Sequence, residues 1–438
     1  MKKLSLLAVG LMMAAATCFG ADRANTLKIY NWADYIDFQV LEEFKQWYTE
    51  QTGQPIEIIY QTFDINETML TEIEVGHEDY DVICPSEYII ERMLRKGLLQ
   101  PIRKDVMDEH IRYFNNVAPF AEDKFQQMAP ADSILVSDYT VGYMWGTTGW
   151  LYNPALVSAD KVQSWGALVN PEFKNHIFVK DAFRDVYSVL VLYAYREEIA
   201  KGEVTRDELV RDITPERMER VEEILMAAKD NIAGWEVDFG KEEMTKGKMW
   251  LNLSWSGDAQ WAIDEAAENG VELEYVVPEE GSNVWFDGWC IPIYAKNPVA
   301  ASYFINFMCR PDNAIRNMEE IGYVSVIASP EILEWANDEE IEETADLSYF
   351  FGEKATAVHA NHVMYPDLSV IERCALMHDC ADQTEDMLKM WTRVKGDNLG
   401  SSMIIIVVVT ILAIMFGVIL QTLNKRKQRA MQRKPNRR

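Results

Sequence analysis

The sequence predicts an α/β fold built on a mainly parallel sheet, and three observations support that prediction. Short apolar strands alternate with amphipathic helices from residue 27 onward, in the order strand, helix, strand, helix. Apolar residues make up 48% of the 438-residue chain, which is enough for a packed core. The chain contains no internal repeat and no low-complexity segment. Helices are therefore expected to cover the sheet.

The first part of the body supplies three strand and helix pairs. Apolar residues at helical spacing predict the first helix, which should end at Gly53. The segment Asp64-Ile-Asn-Glu67 is typical of a capping box at the start of the second helix, and the third opens at Ser86. The predicted strands are 27–31, 55–63 and 80–84, and the predicted helices are 38–52, 64–76 and 86–97.

A second block follows a glycine-rich stretch, 142–149, that we interpret as a passage between two lobes. Predicted strands and helices continue to alternate in this block, as in an α/β fold. The predicted strands are 176–179, 249–253, 273–277 and 284–294, and the predicted helices are 186–195, 215–229, 298–308 and one from residue 330 onward.

The charge excludes one class of function. The chain has 42 Lys+Arg against 70 Asp+Glu, a formal net charge of −28, and a nucleic-acid binder needs a basic surface instead. Eight of the bases lie in the last fourteen residues and two in the first twenty, so the body is more acidic than the whole chain. Such a body attracts small cations.

The two ends predict an extracytoplasmic body anchored in the inner membrane. Residues 1–21 have the layout of a secretory signal peptide, and Cys18 is either a lipidation cysteine or leaves with the signal. Residues 401–422 are apolar and long enough to predict a transmembrane helix. The basic tail, 423–438, then lies in the cytoplasm by the positive-inside rule.

Catalytic, cofactor and metal motifs are missing. No zinc-protease, nucleophile-elbow, phosphate-loop or dinucleotide motif occurs, so we predict no catalytic residue and no cofactor. His359 and His362 have a spacing that can bind a metal, but we interpret them as solvent-facing and predict no metal site.

Aromatic residues stand beside aspartates at the ends of predicted strands. The segments are Trp32-Ala-Asp34-Tyr35, Trp255-Ser-Gly-Asp258 and Trp285-Phe-Asp287. An ammonium group on a methylene chain needs a carboxylate for its charge and flat apolar walls for its methylenes. The alternative is that each Trp is a core residue and each Asp a turn residue. Three such pairs in an acidic body favour a binding site for a cationic ligand.

Several segments resemble the polyamine (spermidine/putrescine) ABC-transporter binding proteins along nearly the whole body. They are LKIYNWADYID, Asn66-Glu67-Thr68-Met69, DVICPSEYIIERMLRKGLLQPI, WSGDA, VWFDGWCIPIYAKN and EEIGY. The resemblance implies a two-lobed periplasmic-binding-protein fold of type II, with two interlobe crossings. Lobe 1 is expected over 22–148 and 286–325 and lobe 2 over 149–285 and 326–397, with crossings near 146–152 and 285–293.

The resemblance also assigns site residues. The family's aromatic box matches Trp32, Tyr35, Tyr88, Trp255, Trp285 and Tyr323. Asp287 matches the carboxylate that holds a terminal ammonium, and Ser86 matches a ligand-contacting serine that could equally be a helix N-cap. The family's inner acid is Asp185 or, as second choice, Asp181.

The choice of polyamine stays open at this point. Asp34 and Asp258 resemble the putrescine-preferring branch, whereas Ala33 departs from the family pattern. The late glutamine of spermidine binders is not evident near Met377. We weakly favour putrescine.

The implied function is capture of a polyamine without chemistry and delivery to an ABC permease, by a monomeric body. The alternative is a membrane-tethered binding protein or sensor for a different small cationic solute. A surface hydrolase with paired carboxylates also fits acidic and aromatic residues, but it gives no reason for the family-like spacing.

Overall fold

The computed structural model describes residues 23–396, and within them a mixed sheet forms the centre of the α/β fold. The strands pair in the order β2-β1-β3-β9-β4-β7-β5-β6, while β8 and β10 pair with β4 and β11 pairs with β9. The strands are β1 (Thr26–Trp32), β2 (Glu57–Phe63), β3 (Val82–Ile83), β4 (Thr140–Tyr152), β5 (Ile177–Lys180), β6 (Ile232–Glu236), β7 (Leu251–Trp255), β8 (Glu274–Val276), β9 (Ser282–Cys290), β10 (Val324–Ser325) and β11 (Cys374–Leu376).

The sheet is mixed rather than mainly parallel as predicted, because parallel and antiparallel strand pairs are equally numerous among the described strands. Helices follow most of the strands, as parallel pairs require. They are α1 (Phe38–Thr52), α2 (Asn66–Glu74), α3 (Glu87–Arg95), α4 (Pro119–Gln126), α5 (Phe183–Ala194), α6 (Arg196–Ala200), α7 (Arg206–Arg211), α8 (Pro215–Ala228), α9 (Phe239–Thr245), α10 (Ser256–Glu268), α11 (Pro298–Met308), α12 (Pro311–Ile321), α13 (Pro330–Ala336), α14 (Ser348–Phe351), α15 (Leu368–Ile371) and α16 (Thr384–Gly396). Residues up to Thr384 form one compact unit, and a second unit begins at Glu385.

The first half of the sheet consists of parallel strands around β1. β1 pairs in parallel with β2 from Thr26↔Glu57 to Trp32↔Phe63, and on its other side with β3. α1 follows β1 and has Asp37 as its N-cap, whose carboxylate accepts from the Gln39 amide. Gly53 ends that helix at φ 71°, a left-handed conformation that favours glycine.

The second half repeats the parallel arrangement around β5. β5 pairs in parallel with both β6 and β7, so the carboxyl ends of these three strands lie at one edge. Their last residues are Lys180, Glu236 and Trp255. This edge carries part of the site described below.

Two long antiparallel strands join the halves. β4 is buried along its whole length and pairs with β9 from Thr140↔Cys290 to Thr147↔Val284. Beyond that point β4 pairs with β7, from Thr148↔Trp255 to Tyr152↔Leu251. β9 in turn pairs with β3 at Ile83↔Cys290. The predicted lobe boundaries and crossings stay predictions.

The fold prediction included a C-terminal transmembrane helix, and that part of the prediction was wrong. The longest helix among residues 23–396, α1, has 15 residues, whereas a bilayer needs about 20 apolar residues. None of the described helices has the length and apolarity to cross a membrane. The segment 401–422 that led to the prediction lies outside the described residues, as do the predicted signal peptide 1–21, Cys18 and the tail 423–438.

The predicted capping box at the start of α2 was also wrong. Ile65, not Asp64, holds the N-cap position of this helix, and no side chain caps it. The Asn66 side chain instead reaches Ser86 and Tyr88. The first turn of α2 therefore contributes to the site rather than to its own capping.

Candidate functional site

The candidate site lies where parallel strands end, the place where open α/β sheets bind ligands. In the first half of the sheet, Trp32 is the last residue of β1 and Ser86 follows β3. In the second half, Lys180 and Trp255 end β5 and β7. Asp287 lies in β9, which pairs with strands of the first half.

Asp287 is buried and receives two hydrogen bonds. The Tyr35 hydroxyl donates to Oδ2 at 2.8 Å, and the Ser86 hydroxyl donates to Oδ1 at 2.7 Å. Burial raises the pKa of Asp287, the bonds from Ser86 and Tyr35 oppose that rise, and the charge of Asp185 adds to it, giving about 7. Asp287 is therefore close to half protonated at neutral pH.

Ser86 holds the N-cap position of α3, yet its side chain does not cap the helix. Its hydroxyl bonds Asp287 and accepts from Asn66 Nδ2 at 3.0 Å. The same Asn66 nitrogen donates to the Tyr88 hydroxyl at 3.1 Å, and Tyr88 donates to Glu67 Oε1 at 3.3 Å. A continuous polar network thus connects α2 and α3 to Asp287.

Glu87 joins α3 to β9. This carboxyl group is fully buried and accepts from the Phe286 amide at 3.0 Å. Burial raises the pKa of Glu87 well above its usual value, and the charges of Asp287 and Asp185 add to that rise. Three acidic groups therefore influence one another in this region.

The aromatic residues form a connected group around Tyr323. Its ring packs edge-on against Tyr35 at 5.1 Å and against Trp285 at 5.5 Å between centroids. Trp32 packs on Phe63 at 4.5 Å, and no ring contact joins it to the other predicted box residues among residues 23–396. Tyr35, Trp285 and Tyr323 are thus brought together, and Trp32 is not.

Two glycines allow this close packing. A Cβ atom at Gly257 would lie 2.2 Å from the Tyr323 ring, and one at Gly146 would lie 2.6 Å from the Trp285 ring. Real Cβ contacts of that length do not occur, so a side chain at either position would displace an aromatic residue of the site.

Asp185 is, like Asp287 and Glu87, a buried carboxyl group without an ion-pair partner among the described residues. It lies in the first turn of α5 and accepts from Trp255 Nε1 at 3.0 Å and from Asn283 Nδ2 at 3.3 Å. Burial raises the pKa of Asp185, and these two hydrogen bonds oppose the rise without cancelling it. We call Asp185 and Asp287 the acidic pair. No Lys or Arg side chain within the described residues hydrogen-bonds to either carboxyl group.

Asp258 has different surroundings. Lys180 Nζ donates to Oδ2 at 2.7 Å, while Lys241 Nζ at 3.1 Å and the Tyr323 hydroxyl at 2.9 Å both donate to Oδ1. Burial raises the pKa of Asp258, but the charges of Lys180 and Lys241 outweigh it and lower that pKa to about 2. Asp258 is therefore an ionised and fully paired carboxylate.

Lys180 completes this arrangement. The side chain is fully buried, and its Nζ atom lies 3.0 Å from Glu236 and 4.4 Å from the centroid of the Trp255 ring. That distance and placement over the ring are those of a cation-π contact. We call Lys180, Glu236, Lys241 and Asp258 the lysine cluster.

Arg184 lies beside the acidic pair without bonding it. The buried guanidinium donates from Nη2 to the His378 carbonyl at 2.7 Å and lies 5.8 Å from the Tyr88 ring centroid. Its Nε and Nη1 atoms are buried and have no hydrogen-bond partner within residues 23–396.

Two predicted acids stand apart from these contacts. Asp34 is exposed in a left-handed turn at φ 48°, and its side chain makes no hydrogen bond within the described residues. Asp181 is half-buried directly after β5, and its amide donates to the Glu236 carbonyl at 2.7 Å. The hydrogen bonds to Asp287 come from Tyr35 and Ser86 and not from these two residues.

Sequence reasoning missed the partners of the site: Asn66, Glu87, Lys180, Glu236, Lys241 and Asn283. The sequence gives one indication for Lys180. This lysine ends an apolar strand next to a predicted site, and a lysine in a buried position is unusual. Among residues 23–396, no group of three or more His, Cys, Asp or Glu side chains has an arrangement that could hold a metal ion.

Comparisons with known proteins identify the family to which the chain is similar. Residues 41–343 match the family described as bacterial extracellular solute-binding protein. The chain is 32% identical over 350 residues to the spermidine/putrescine-binding periplasmic protein of Salmonella typhimurium, covering 78% of this chain and 90% of that protein. It is 27% identical over 336 residues to a putrescine-binding periplasmic protein of Escherichia coli, covering 74% and 84%.

A solved structure is similar over most of its length. It is the substrate-binding protein of a spermidine/putrescine ABC transporter from Streptococcus pneumoniae, with a TM-score of 0.60 and 28% identity. The match covers 85% of this chain and 98% of that one. The family resemblance seen in the sequence is confirmed by these comparisons.

Proposed function

The chain belongs to the family of bacterial extracellular solute-binding proteins, and we propose on that basis that it captures a polyamine and delivers it to an ABC permease. The observation that supports this proposal is the acidic pair. Asp185 and Asp287 are buried carboxyl groups that no Lys or Arg of the described residues bonds. A buried carboxylate without a cation is costly, and a cationic ligand removes that cost.

A diamine carries the groups that this site lacks. Each ammonium group needs a charge-assisted hydrogen bond, and Asp185 and Asp287 supply one acceptor each. The methylenes between the ammonium groups need apolar walls, and the rings of Tyr35, Tyr323 and Trp285 supply them. The charge of the carboxyl groups and the apolar rings beside them thus fit a diamine better than a sugar or an anion.

The proposed mode of action is binding without catalysis. The ligand docks between two lobes, hinge rotation closes them, and the closed form is recognised by the permease outside the cytoplasm. Closure excludes water and strengthens each contact between ammonium and carboxylate. One copy of the chain supplies every residue of the site, so we propose that the protein acts as a monomer.

A second candidate ligand follows from Arg184. Its buried Nε and Nη1 donors lack partners within residues 23–396, and the guanidinium lies near Tyr88. A solute with an ammonium at one end and a carboxylate at the other would use both the acidic pair and this arginine. 4-Aminobutyrate is the simplest test compound of that kind.

Calorimetric titration of the purified full-length protein tests the proposal. The ligands are putrescine, cadaverine, spermidine and spermine, with 4-aminobutyrate and glucose as controls. We expect micromolar or tighter binding of at least one polyamine and no heat from the controls. Tight binding of 4-aminobutyrate in place of the polyamines would favour the second candidate, and silence of every amine would overturn the polyamine function.

A further inference from the structure

We propose that Lys180 restricts the ligand to diamines by occupying, with its own ammonium group, the place that the third ammonium of a triamine would need. This inference rests on the proposed polyamine function and deepens it, because it names the residue that sets ligand length. The contacts of the lysine cluster support it.

The position of Lys180 follows from the sheet. It ends β5, between the ends of β6 and β7 at Glu236 and Trp255, on the edge of the sheet that carries the site. Trp255 faces Lys180 with its ring at 4.4 Å and donates from Nε1 to Asp185 at 3.0 Å. One indole therefore contacts both the acidic pair and the lysine cluster.

The side chain of Lys180 has the chemistry of a polyamine arm. It is a primary ammonium group on four methylenes. Putrescine and the aminobutyl arm of spermidine have the same four methylenes and the same terminal ammonium group. Its Nζ atom has an aromatic face and the carboxyl groups of Asp258 at 2.7 Å and Glu236 at 3.0 Å. Those are the contacts that a ligand ammonium requires.

Asp258 has no acceptor left for a further ammonium. Lys180 holds one carboxylate oxygen, and Lys241 and Tyr323 hold the other. The cluster pairs two lysines with two acids, so it offers an incoming cation no net attraction. Lys180 is fully buried, and moving it aside would break both ion pairs. A third ammonium that extends past Trp255 would meet a site already filled.

The test compares two lysine variants that both contact Asp258. Lys180→Met keeps the length of the side chain and removes the ammonium over Trp255. Lys241→Met removes the other cation of Asp258, which lies over Trp261 at 5.3 Å, away from Trp255. Titration of each full-length protein with putrescine and with spermidine gives the ratio of the two affinities.

For the unaltered protein we expect putrescine to bind at least about tenfold more tightly than spermidine, since a lost charge-assisted contact has about that effect. Lys180→Met should shift the ratio toward spermidine by about tenfold or more, because Asp258 and Glu236 become available. Lys241→Met should leave the ratio within about twofold, because Lys180 stays in place.

The inference is overturned if the unaltered protein binds spermidine as tightly as putrescine, a result that needs no variant. It is also overturned if Lys180→Met binds amines and keeps the original ratio, which would make Lys180 an ordinary ion-pair residue. If Lys180→Met does not fold, Lys180→Gln gives the same comparison. If the unaltered protein binds no amine at all, the proposed function is refuted instead.

Discussion

The acidic pair and the lysine cluster both contain buried carboxyl groups beside aromatic rings. They differ in the source of the cation that pairs with those carboxyl groups. Asp258 has two lysines of its own chain, and its pKa falls to about 2. Asp287 has only hydroxyl donors, and its pKa rises to about 7. Buried aspartates in β9 and in the first turn of α10 thus have different surroundings. We propose that Asp258 stabilises the fold and that Asp287 binds a cation of the ligand.

Removing Asp258 should have the largest effect on stability. Asp258→Asn leaves the buried Lys180 with Glu236 as its carboxyl partner and removes the ion pair of the half-buried Lys241, and breaking a buried ion pair costs about 3–5 kcal/mol. Urea denaturation at pH 7.5 measures the change in the free energy of unfolding. A change under about 1 kcal/mol would show that the lysine cluster does not stabilise the fold.

Removing the charge of Asp287 should affect the ligand instead. Asp287→Asn keeps the shape of the side chain, and we expect putrescine affinity to fall by about 100-fold, since a buried ammonium loses its carboxylate. The free energy of unfolding at pH 8 should not decrease, because the variant removes a buried carboxylate whose ionisation is unfavourable there. Calorimetry and urea denaturation measure the two effects. Unchanged affinity would contradict the site assignment.

The two regions should also respond to pH in opposite directions. The pKa of Asp287 is raised above its unfolded value, so its contribution to stability is fully present below about pH 4 and is lost as pH rises through about 7. The pKa of Asp258 is lowered to about 2, so its contribution is present above about pH 4 and is lost as pH falls through about 2.

The variants Asp287→Asn and Asp258→Asn separate the pH dependence of one carboxyl group from that of the other. Between pH 5 and 8, the stability of Asp287→Asn relative to the unaltered protein should increase, whereas that of Asp258→Asn should change little. Urea denaturation at four pH values across this range gives both curves. If the relative stability of both variants changed with pH in the same way, the proposed contrast between Asp287 and Asp258 would be wrong.

The smallest effect is expected at Ser86. Ser86→Ala deletes one donor to Asp287, so the pKa of Asp287 should rise further and putrescine affinity at pH 7 should fall by a few-fold, in line with one hydrogen bond of about 1 kcal/mol. The helix should keep its stability, because the Ser86 side chain does not cap α3. A loss of helix stability with unchanged affinity would favour the N-cap role that the sequence left open.

Much of the α/β alternation could be predicted from the sequence, because apolar periodicity reports burial directly. The exceptions have physical reasons. No strand was predicted over β4, since Gly142, Gly146 and Gly149 weaken a strand pattern, and the structure shows a buried strand there. The short strand β11 was not among the predicted strands, and it pairs in parallel with β9.

The site was harder to predict than the fold. Asp287, Tyr35 and Ser86 followed from the family resemblance, and in the structure Tyr35 and Ser86 each donate a hydrogen bond to Asp287. The lysine cluster could not be predicted, because Lys180, Glu236 and Asp258 are far apart in the sequence and meet only through the parallel pairing of β5 with β6 and β7. The pairing of Lys180 with Glu236 and Asp258 is therefore seen only once the strands are aligned.

The most direct test of the central claim is the proton count on putrescine binding. Calorimetry of the full-length protein at pH 7 in two buffers of different ionisation enthalpy gives the number of protons released per ligand. With the pKa of Asp287 near 7, we predict release of about half a proton, and none from Asp287→Asn. Binding with equal heats in both buffers would contradict the claim that Asp287 takes up the ligand cation.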